Sequence, residues 1–424
     1  MESNKDLKDM LIELRREFHK HAEIGWLEFE TTFRIIGYLQ KLGYNIECGR
    51  NIHHNPMGMP SEKEIKSHRS SCEMNIPKDI NKEEILEGYT GVVACLYTGV
   101  PGPTVAFRFD IDGLTVPEGE VGHIPYEEGF NSNNPNVSHA CGHDGHIAIG
   151  LTLAKTIMNL RGKLKGTIKL IFQPAEEEVR GAKSMVDAGV LKGVDYLFSG
   201  HIGFINENNT VGVKVENMLA TNKMEVSFYG KSAHAGICPE EGRNALLAAA
   251  SCILNLHCQV QYGRGIARLN VGTLHGGTGR NIIADKAILQ LETRGDTNEV
   301  NDKMVSMVEN VVKGTALSFG VEYDIKTVGS ARAYSSKSSE FMEQVIHKVK
   351  TLKFNIDENF SFGASEDITY MMEEVEAHGG RTVYFIFSSK IAAPHHNPYF
   401  DFNEDSMVMA HNTYEKMLEQ FSYR

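Results

Sequence analysis

Residues 138–146 read Ser-His-Ala-Cys-Gly-His-Asp-Gly-His, placing three histidines, a cysteine and an aspartate in nine positions. So dense a run points to a bound divalent cation, because imidazole, thiolate and carboxylate are the groups that zinc-like ions accept. His139, Cys141 and His143 alternate through small residues, so a turning backbone can aim alternate side chains at one point. Gly142 and Gly145 leave room for close approach. Residues 147–158 then carry the apolar pattern of a buried helix. The cluster is thus expected at a loop-to-helix junction, with Cys141 and His143 as ligands and His139 and His146 as supporting or packing residues.

Around this junction strand-like and helix-like runs alternate. Residues 91–97, 104–109, 166–172, 196–199 and 382–387 read as apolar strands, and 147–160 and 180–190 as helices. That alternation predicts an α/β layer with a mostly parallel sheet. Residues 5–42 have the spacing of an amphipathic helix pair, with Leu7, Leu11, Leu14 and Phe18 on one face. Residues 224–328 instead run strand, helix, strand, strand, helix, strand, the ferredoxin-like order. The expected organisation is a catalytic domain of residues 1–216 and 331–424, interrupted by an α+β domain at 217–330. Residues 50–88 follow neither pattern and read as an insertion with one or two short surface helices.

Composition narrows the function classes. The 424 residues exceed one small core, and 41% hydrophobic content is ordinary for a globular chain. A net charge of −12 without a basic stripe argues against a nucleic-acid partner. No apolar run approaches the ~20 residues that span a bilayer. Seven scattered cysteines and a polar N-terminus suggest a reducing, cytoplasmic setting. Outside Cys141 the cysteines, Cys72 among them, read as core or surface thiols, and His19 and His21 as structural.

In open α/β sheets functional groups gather beyond the carboxyl ends of the strands. Asp110 and Asp112 follow the strand at 104–109, Glu176 and Glu177 the strand at 166–172, His201 the strand at 196–199, and His395 and His396 the strand at 382–387. Neighbouring carboxylates on a non-helical turn point apart, so one can bind an ion while the other faces a substrate. A bound cation lowers the pKa of a water towards ~7. A free glutamate can take that proton and return it to a leaving amine. Two ions would share a bridging thiolate or carboxylate, and Cys141 is the obvious candidate.

The blocks Arg108-Phe-Asp-Ile-Asp-Gly-Leu, Cys141-Gly-His-Asp-Gly-His, Phe172-Gln-Pro-Ala-Glu-Glu and Gly200-His201 run in order along the chain. Ser232-Ala-His-Ala-Gly236, Gly276-Gly-Thr-Gly-Arg-Asn-Ile-Ile283 and His396-Asn-Pro-Tyr-Phe-Asp-Phe402 follow. Together they resemble the M20 metallopeptidase/amidohydrolase family, within it the aminoacyl-amide hydrolases. The resemblance implies two divalent ions, zinc or manganese, held by Cys141, His143, Glu177, His201 and His396. It implies Glu176 as general base and Asp112 as the group orienting a ligand. His234 would polarise the scissile carbonyl, often from a neighbouring subunit, and Asn281 would bind a substrate carboxylate or carbonyl oxygen.

Arg280 is read as the specificity residue, since a guanidinium pairs bidentately with carboxylates. The alternative is a surface arginine in a glycine-rich loop. The expected reaction is hydrolysis of an N-acyl amino acid, p-aminobenzoyl-glutamate first, with hippurate, N-acetyl amino acids and indole-acetyl conjugates as rivals. The smaller domain would serve dimerisation and act as a lid, in a homodimer or beside a related second subunit, with no nucleic acid or membrane partner. The contrasting reading is a non-catalytic subunit, which would be expected to lose Glu176 or several ligands; all are present.

Overall fold

The computed structural model describes residues 4–70, 72, 76–263 and 265–424. The chain divides into two compact units: Met1–Glu216 with Ser335–Phe362 and Tyr370–Arg424, and Asn217–Tyr334 with Gly363–Thr369. Backbone pairing explains why 331–334 and 363–369 belong with the smaller unit rather than, as the sequence suggests, the larger. Met218 and Tyr334 exchange two 3.0 Å hydrogen bonds, and the Leu219 N–H donates to the Ala364 carbonyl at 2.8 Å.

The larger unit is built on an eight-stranded sheet. Its strands lie in the order Asn45–Cys48, Val92–Tyr97, Thr167–Gln173, Thr104–Asp110, Tyr196–Ile202, Arg381–Phe387, Thr210–Gly212 and Asn355–Asp357. The central strands, Thr167–Gln173 through Arg381–Phe387, pair in parallel. Antiparallel ladders join Asn45–Cys48, Val92–Tyr97 and Thr210–Gly212 to this core, and Asn355–Asp357 pairs in parallel with Thr210–Gly212. Both faces of the central strands are covered, which is why they read as unbroken apolar runs rather than as alternating ones. Phe107, Phe109, Phe172, Phe198 and Phe385 are all buried there.

Helix His143–Leu160 packs against helices Asn4–Lys20, Phe29–Leu42 and Asp405–Ser422 and against strand Thr104–Asp110. Being surrounded, it is apolar on nearly every side. Gly142 caps it at φ 84°, a left-handed conformation that glycine alone adopts without strain. The cap starts the helix at His143, four residues before its apolar run begins. In the insertion, helix Glu62–Arg69 carries a Ser61/Glu64 capping box and buries none of its residues.

The smaller unit is a four-stranded antiparallel sheet in the order Glu322–Ala331, Ala220–Tyr229, Lys286–Gly295, Ala267–Gly276. Numbered within the unit this is 4-1-3-2, the ferredoxin-like arrangement expected from the element order. Helices Ala245–Gln259 and Asn298–Phe319 supply Ala249, Cys252, Val308 and Val312 to a core with Val226, Phe228 and Leu289. Asn244 and Thr297 cap these helices through their side chains. Among the described residues no helix is long and apolar enough to cross a membrane.

Candidate active site and metal centre

The four parallel strands deliver the site at their carboxyl ends. Strand Thr104–Asp110 leads into Asp110 and Asp112, both buried. Strand Tyr196–Ile202 runs further than its apolar pattern suggests, because its ladder with Arg381–Phe387 extends to Ile202 opposite Phe387. His201 therefore lies on the strand rather than beyond it, and the rigid ladder fixes its direction.

The imidazoles of His143 and His201 are each oriented by a partner on Nδ1. His143 Nδ1 lies 2.8 Å from the Asp112 carbonyl oxygen and 3.3 Å from Asp112 Oδ1. His201 Nδ1 lies 2.8 Å from the Ile202 carbonyl oxygen. Both Nε2 atoms are thereby turned inward; that of His201 stands 3.4 Å from Cys141 Sγ. Asp112 also accepts the Glu177 N–H at 2.9 Å through Oδ2, so one carboxylate positions two neighbouring groups. His396 Nε2 is 3.5 Å from Glu177 Oε1, and the His396 N–H donates to the Ala140 carbonyl at 2.8 Å. Donor atoms of Cys141, His143 and His201 lie within 4.8 Å of one another, as do those of Cys141, Glu177 and His396, and those of His143, Glu176 and Glu177.

The turn carrying Glu176 and Glu177 is strained. Ala175, Glu178 and Val179 have φ of 51°, 65° and 55°, and His396 has 65°. Such conformations cost on the order of 1–3 kcal/mol each and persist only where the surroundings over-determine them. Here the Val179 N–H donates to the Glu176 carbonyl at 2.7 Å, and the N–H groups of Arg180 and Gly181 close on the Ala175 carbonyl. A Cβ on Gly181 would sit 1.8 Å from the Pro174 carbonyl oxygen, so the turn closes only with glycine there. Glu28, fully buried, accepts the Ala175 N–H at 2.8 Å and the Thr90 hydroxyl at 2.6 Å.

The chemistry of this donor set fits a cation. His143 Nε2 is buried without a hydrogen-bond partner among the described residues, and Glu177 Oε1 has there only the 3.5 Å approach of His396 Nε2, an arrangement that folded proteins avoid unless something else satisfies the atoms. Burial drives the Cys141 thiol well above its ordinary range, reinforced by the carboxylates of Glu177, Glu176 and Asp110. Burial drives His201 well below its ordinary range, helped by His146 and His395, so it stays neutral. Burial also opposes charge on His143, but Asp110, Asp112 and Glu177 outweigh it and push that group up to about 10. Acids crowded with a thiol and imidazoles are relieved by positive charge at their centre.

A further ring of residues holds these in place. His146 donates from Nδ1 to Asp110 Oδ1 and accepts the Ile202 N–H on Nε2 at 3.2 Å. Asp110 also accepts from Arg108 at 2.6 Å. Asp144, next to His143, accepts from Arg15 Nε at 3.0 Å and pairs with His19 Nδ1 at 2.8 Å. Arg15, 2% exposed, continues to Asp401 and lies 3.9 Å over the Phe402 ring. His139 is buried with neither ring nitrogen hydrogen-bonded among the described residues, and burial lowers it to about 4.

In the smaller unit His234 and Asn281 are brought together. His234 bridges Ile282 in antiparallel fashion, and the Ala235 N–H donates to the Asn281 carbonyl at 3.0 Å. His234, Arg280 and Asn281 are all exposed. Sequence reasoning had no view of Glu28 or Arg15, whose roles depend on partners more than a hundred positions away. The only local hint at Arg15 is a charge on the otherwise apolar face of its helix.

The fold and the clustered donors define a metal-dependent amidohydrolase of the carboxypeptidase-like class, acting on N-acyl amino acids. Residues 106–420 match peptidase family M20/M25/M40, and the chain belongs to that family. It is 40% identical to a Haemophilus influenzae homolog of a p-aminobenzoyl-glutamate hydrolase subunit, over 98% of this chain and 99% of that one. It is equally 40% identical to the indole-3-acetyl-aspartic acid hydrolase of Enterobacter agglomerans, over 97% and 96%. The crystal structure of an aminobenzoyl-glutamate utilization protein from Klebsiella pneumoniae superposes with a TM-score of 0.80 at 35% identity, covering 97% of this chain and 95% of that one.

Proposed function

We propose that this protein hydrolyses the amide bond between an aromatic acyl group and a dicarboxylic amino acid, p-aminobenzoyl-glutamate being the leading substrate. The carrying observation is the buried donor set around His143 Nε2 and Glu177 Oε1, with a second carboxylate, Glu176, in the same turn. Cys141, His143, Glu177, His201 and His396 would hold two divalent ions, zinc or manganese. When bound, these supply Lewis acidity to the amide carbonyl and lower the pKa of a water to about 7.

The remaining work belongs to the chain. Glu176 takes the proton of the attacking water and hands it to the leaving nitrogen. Asp112 keeps the His143 ring and the Glu177 backbone in register. His234 polarises the scissile carbonyl, Asn281 binds a substrate carboxylate or carbonyl oxygen, and Arg280 binds a substrate carboxylate. Arg280 is exposed and makes no ion pair among the described residues, which leaves its guanidinium available. The two relatives' named substrates share an aromatic acyl group and an acidic amino acid, which favours this class over simple N-acetyl amino acids.

The smaller unit suits self-association in a homodimer. Strand Ala267–Gly276 is a sheet edge, and helix Ala245–Gln259 exposes Leu247 and Leu254. The alternative is pairing with a related second subunit in a reducing cytoplasm.

The test is a substrate panel on chelator-stripped protein reloaded with Mn²⁺ or Zn²⁺. Stripping is expected to abolish turnover and reloading to restore it, with kcat/KM at least about tenfold higher for p-aminobenzoyl-glutamate and indole-acetyl-aspartate than for hippurate or N-acetyl-alanine, the preference that one charge-assisted contact supports. Equal turnover across the panel would overturn the dicarboxylate assignment while leaving the reaction class intact.

A further inference from the structure

Glu23, His68 and Cys72 bring a carboxylate, an imidazole and a thiol together, sharing no residue with the cluster described above. His68 lies in the last turn of helix Glu62–Arg69, and Cys72, beyond the helix end, returns its thiol to the His68 carbonyl at 3.2 Å. Glu23 occupies the turn between helices Asn4–Lys20 and Phe29–Leu42 and is buried; the other two are partly buried. Cys72 therefore has clustered partners that its isolated place in the sequence does not suggest.

The geometry separates two readings of such a trio. A thiol–imidazole–carboxylate relay uses opposite ring nitrogens, one facing the nucleophile and the other the acid. Here both neighbours address the same atom: His68 Nε2 is 2.9 Å from Glu23 Oε1 and 3.4 Å from Cys72 Sγ. The third edge, Cys72 Sγ to Glu23 Oε1, is 3.7 Å. A tetrahedral ion with metal–sulfur bonds of about 2.3 Å and metal–nitrogen or metal–oxygen bonds of about 2.0–2.1 Å separates its ligands by roughly 3.3–3.6 Å. All three edges come within about half an ångström of that triangle.

We propose that Glu23, His68 and Cys72 form a metal site for a single zinc-like ion, apart from the catalytic pair, with water in the fourth position. On binding, the Cys72 thiol releases its proton to solvent, and the proton that His68 Nε2 directs at Glu23 leaves to solvent or is replaced by one on Nδ1, which frees the Nε2 lone pair for the ion. Glu23 Oε1 coordinates while Oε2 keeps the Thr31 N–H bond at 2.9 Å. No electrons are exchanged. The ion staples the inserted segment 50–88 to the turn before helix Phe29–Leu42. That segment also meets the catalytic turn, where Arg180 donates to the Gly58 carbonyl at 3.1 Å and to the Glu177 carbonyl at 3.1 Å. Trp26 Nε1 donates to the Met57 carbonyl at 2.8 Å beside it.

The experiment titrates stripped full-length protein with Co²⁺, whose thiolate charge-transfer band reports a sulfur ligand. Cys141→Ser is compared with the double variant Cys141→Ser/Cys72→Ala. The single variant is expected to keep the band and to bind one more equivalent than the double, in which the band is lost. His68→Gln in the Cys141→Ser background should lose the same equivalent. Equal stoichiometry and equal spectra with and without Cys72 would overturn the site. Should Cys141→Ser fail to fold, Zn²⁺ protection of the 50–88 segment from protease in wild type and Cys72→Ala decides: protection that requires Cys72 supports the site, and protection indifferent to it refutes it. Neither readout depends on turnover, so the outcome is independent of the proposed reaction.

Discussion

Glu176 and Glu177 are adjacent, chemically identical and proposed for opposite tasks on one strained turn. Glu177 is tied through its N–H to Asp112 and faces His396, whereas Glu176 brings a carboxylate oxygen within 4.8 Å of donor atoms of His143 and Glu177. Glu176→Gln is accordingly expected to retain its metal content while kcat falls by about 10²–10⁴, the range typical of a lost general base. Elemental analysis beside steady-state kinetics checks this, and metal loss in that variant would transfer the ligand role to Glu176. Arg280→Ala should raise KM for glutamate conjugates selectively. A charge-assisted hydrogen bond contributes about 1.5–3 kcal/mol, roughly ten- to a hundredfold. A uniform loss on hippurate as well would count against its proposed role.

Secondary-structure elements reach the candidate metal centre through a small number of buried charges. Arg15 on the first helix pairs with Asp144 at the start of the metal-motif helix and with Asp401 near the His396 loop. Burial opposes its charge, but these acids and Glu404 more than offset that. Arg15→Met leaves the buried Asp401 without this cation and Asp144 with His19 alone, which costs about 3–5 kcal/mol. Urea denaturation should show that loss, together with weakened metal retention because His143 and His396 lose a common anchor. A change near zero would mean that Asp144 is held by His19 alone. This network was illegible in the sequence because its members are separated by 129 and 386 positions.

At the scale of the whole molecule, the same network sets a pH window for stability. Burial disfavours the His19 cation, but Asp144 and Glu118 outweigh it and raise the group to about 9. Burial raises Glu118, but His123 and His19 outweigh that and lower it to about 2. A raised histidine stabilises the fold fully below its ordinary value of 6.5 and ceases to do so as pH rises through about 9. A lowered carboxylate stabilises above its ordinary value of 4.5 and ceases to do so as pH falls through about 2. The melting temperature of wild type should therefore exceed that of His19→Gln most between about pH 4.5 and 6.5. The gap should close towards pH 9 and again towards pH 2; a gap constant from pH 6 to 10 would show that the ion pair contributes nothing.

What the sequence determined by itself is everything that repeats locally: the apolar runs of the parallel strands, the strand–helix order of the smaller unit, and the acids and histidines placed just past each run. Periodicity and chemical type survive without a fold. What only the tertiary structure decided is how those groups face one another. It extended a strand through His201, fixed the ring nitrogens of His143 and His201, recruited Glu28 and Arg15, and set Cys72 beside His68 and Glu23. Direction, protonation and partnership depend on contacts between distant segments, and these exist only once the chain has packed.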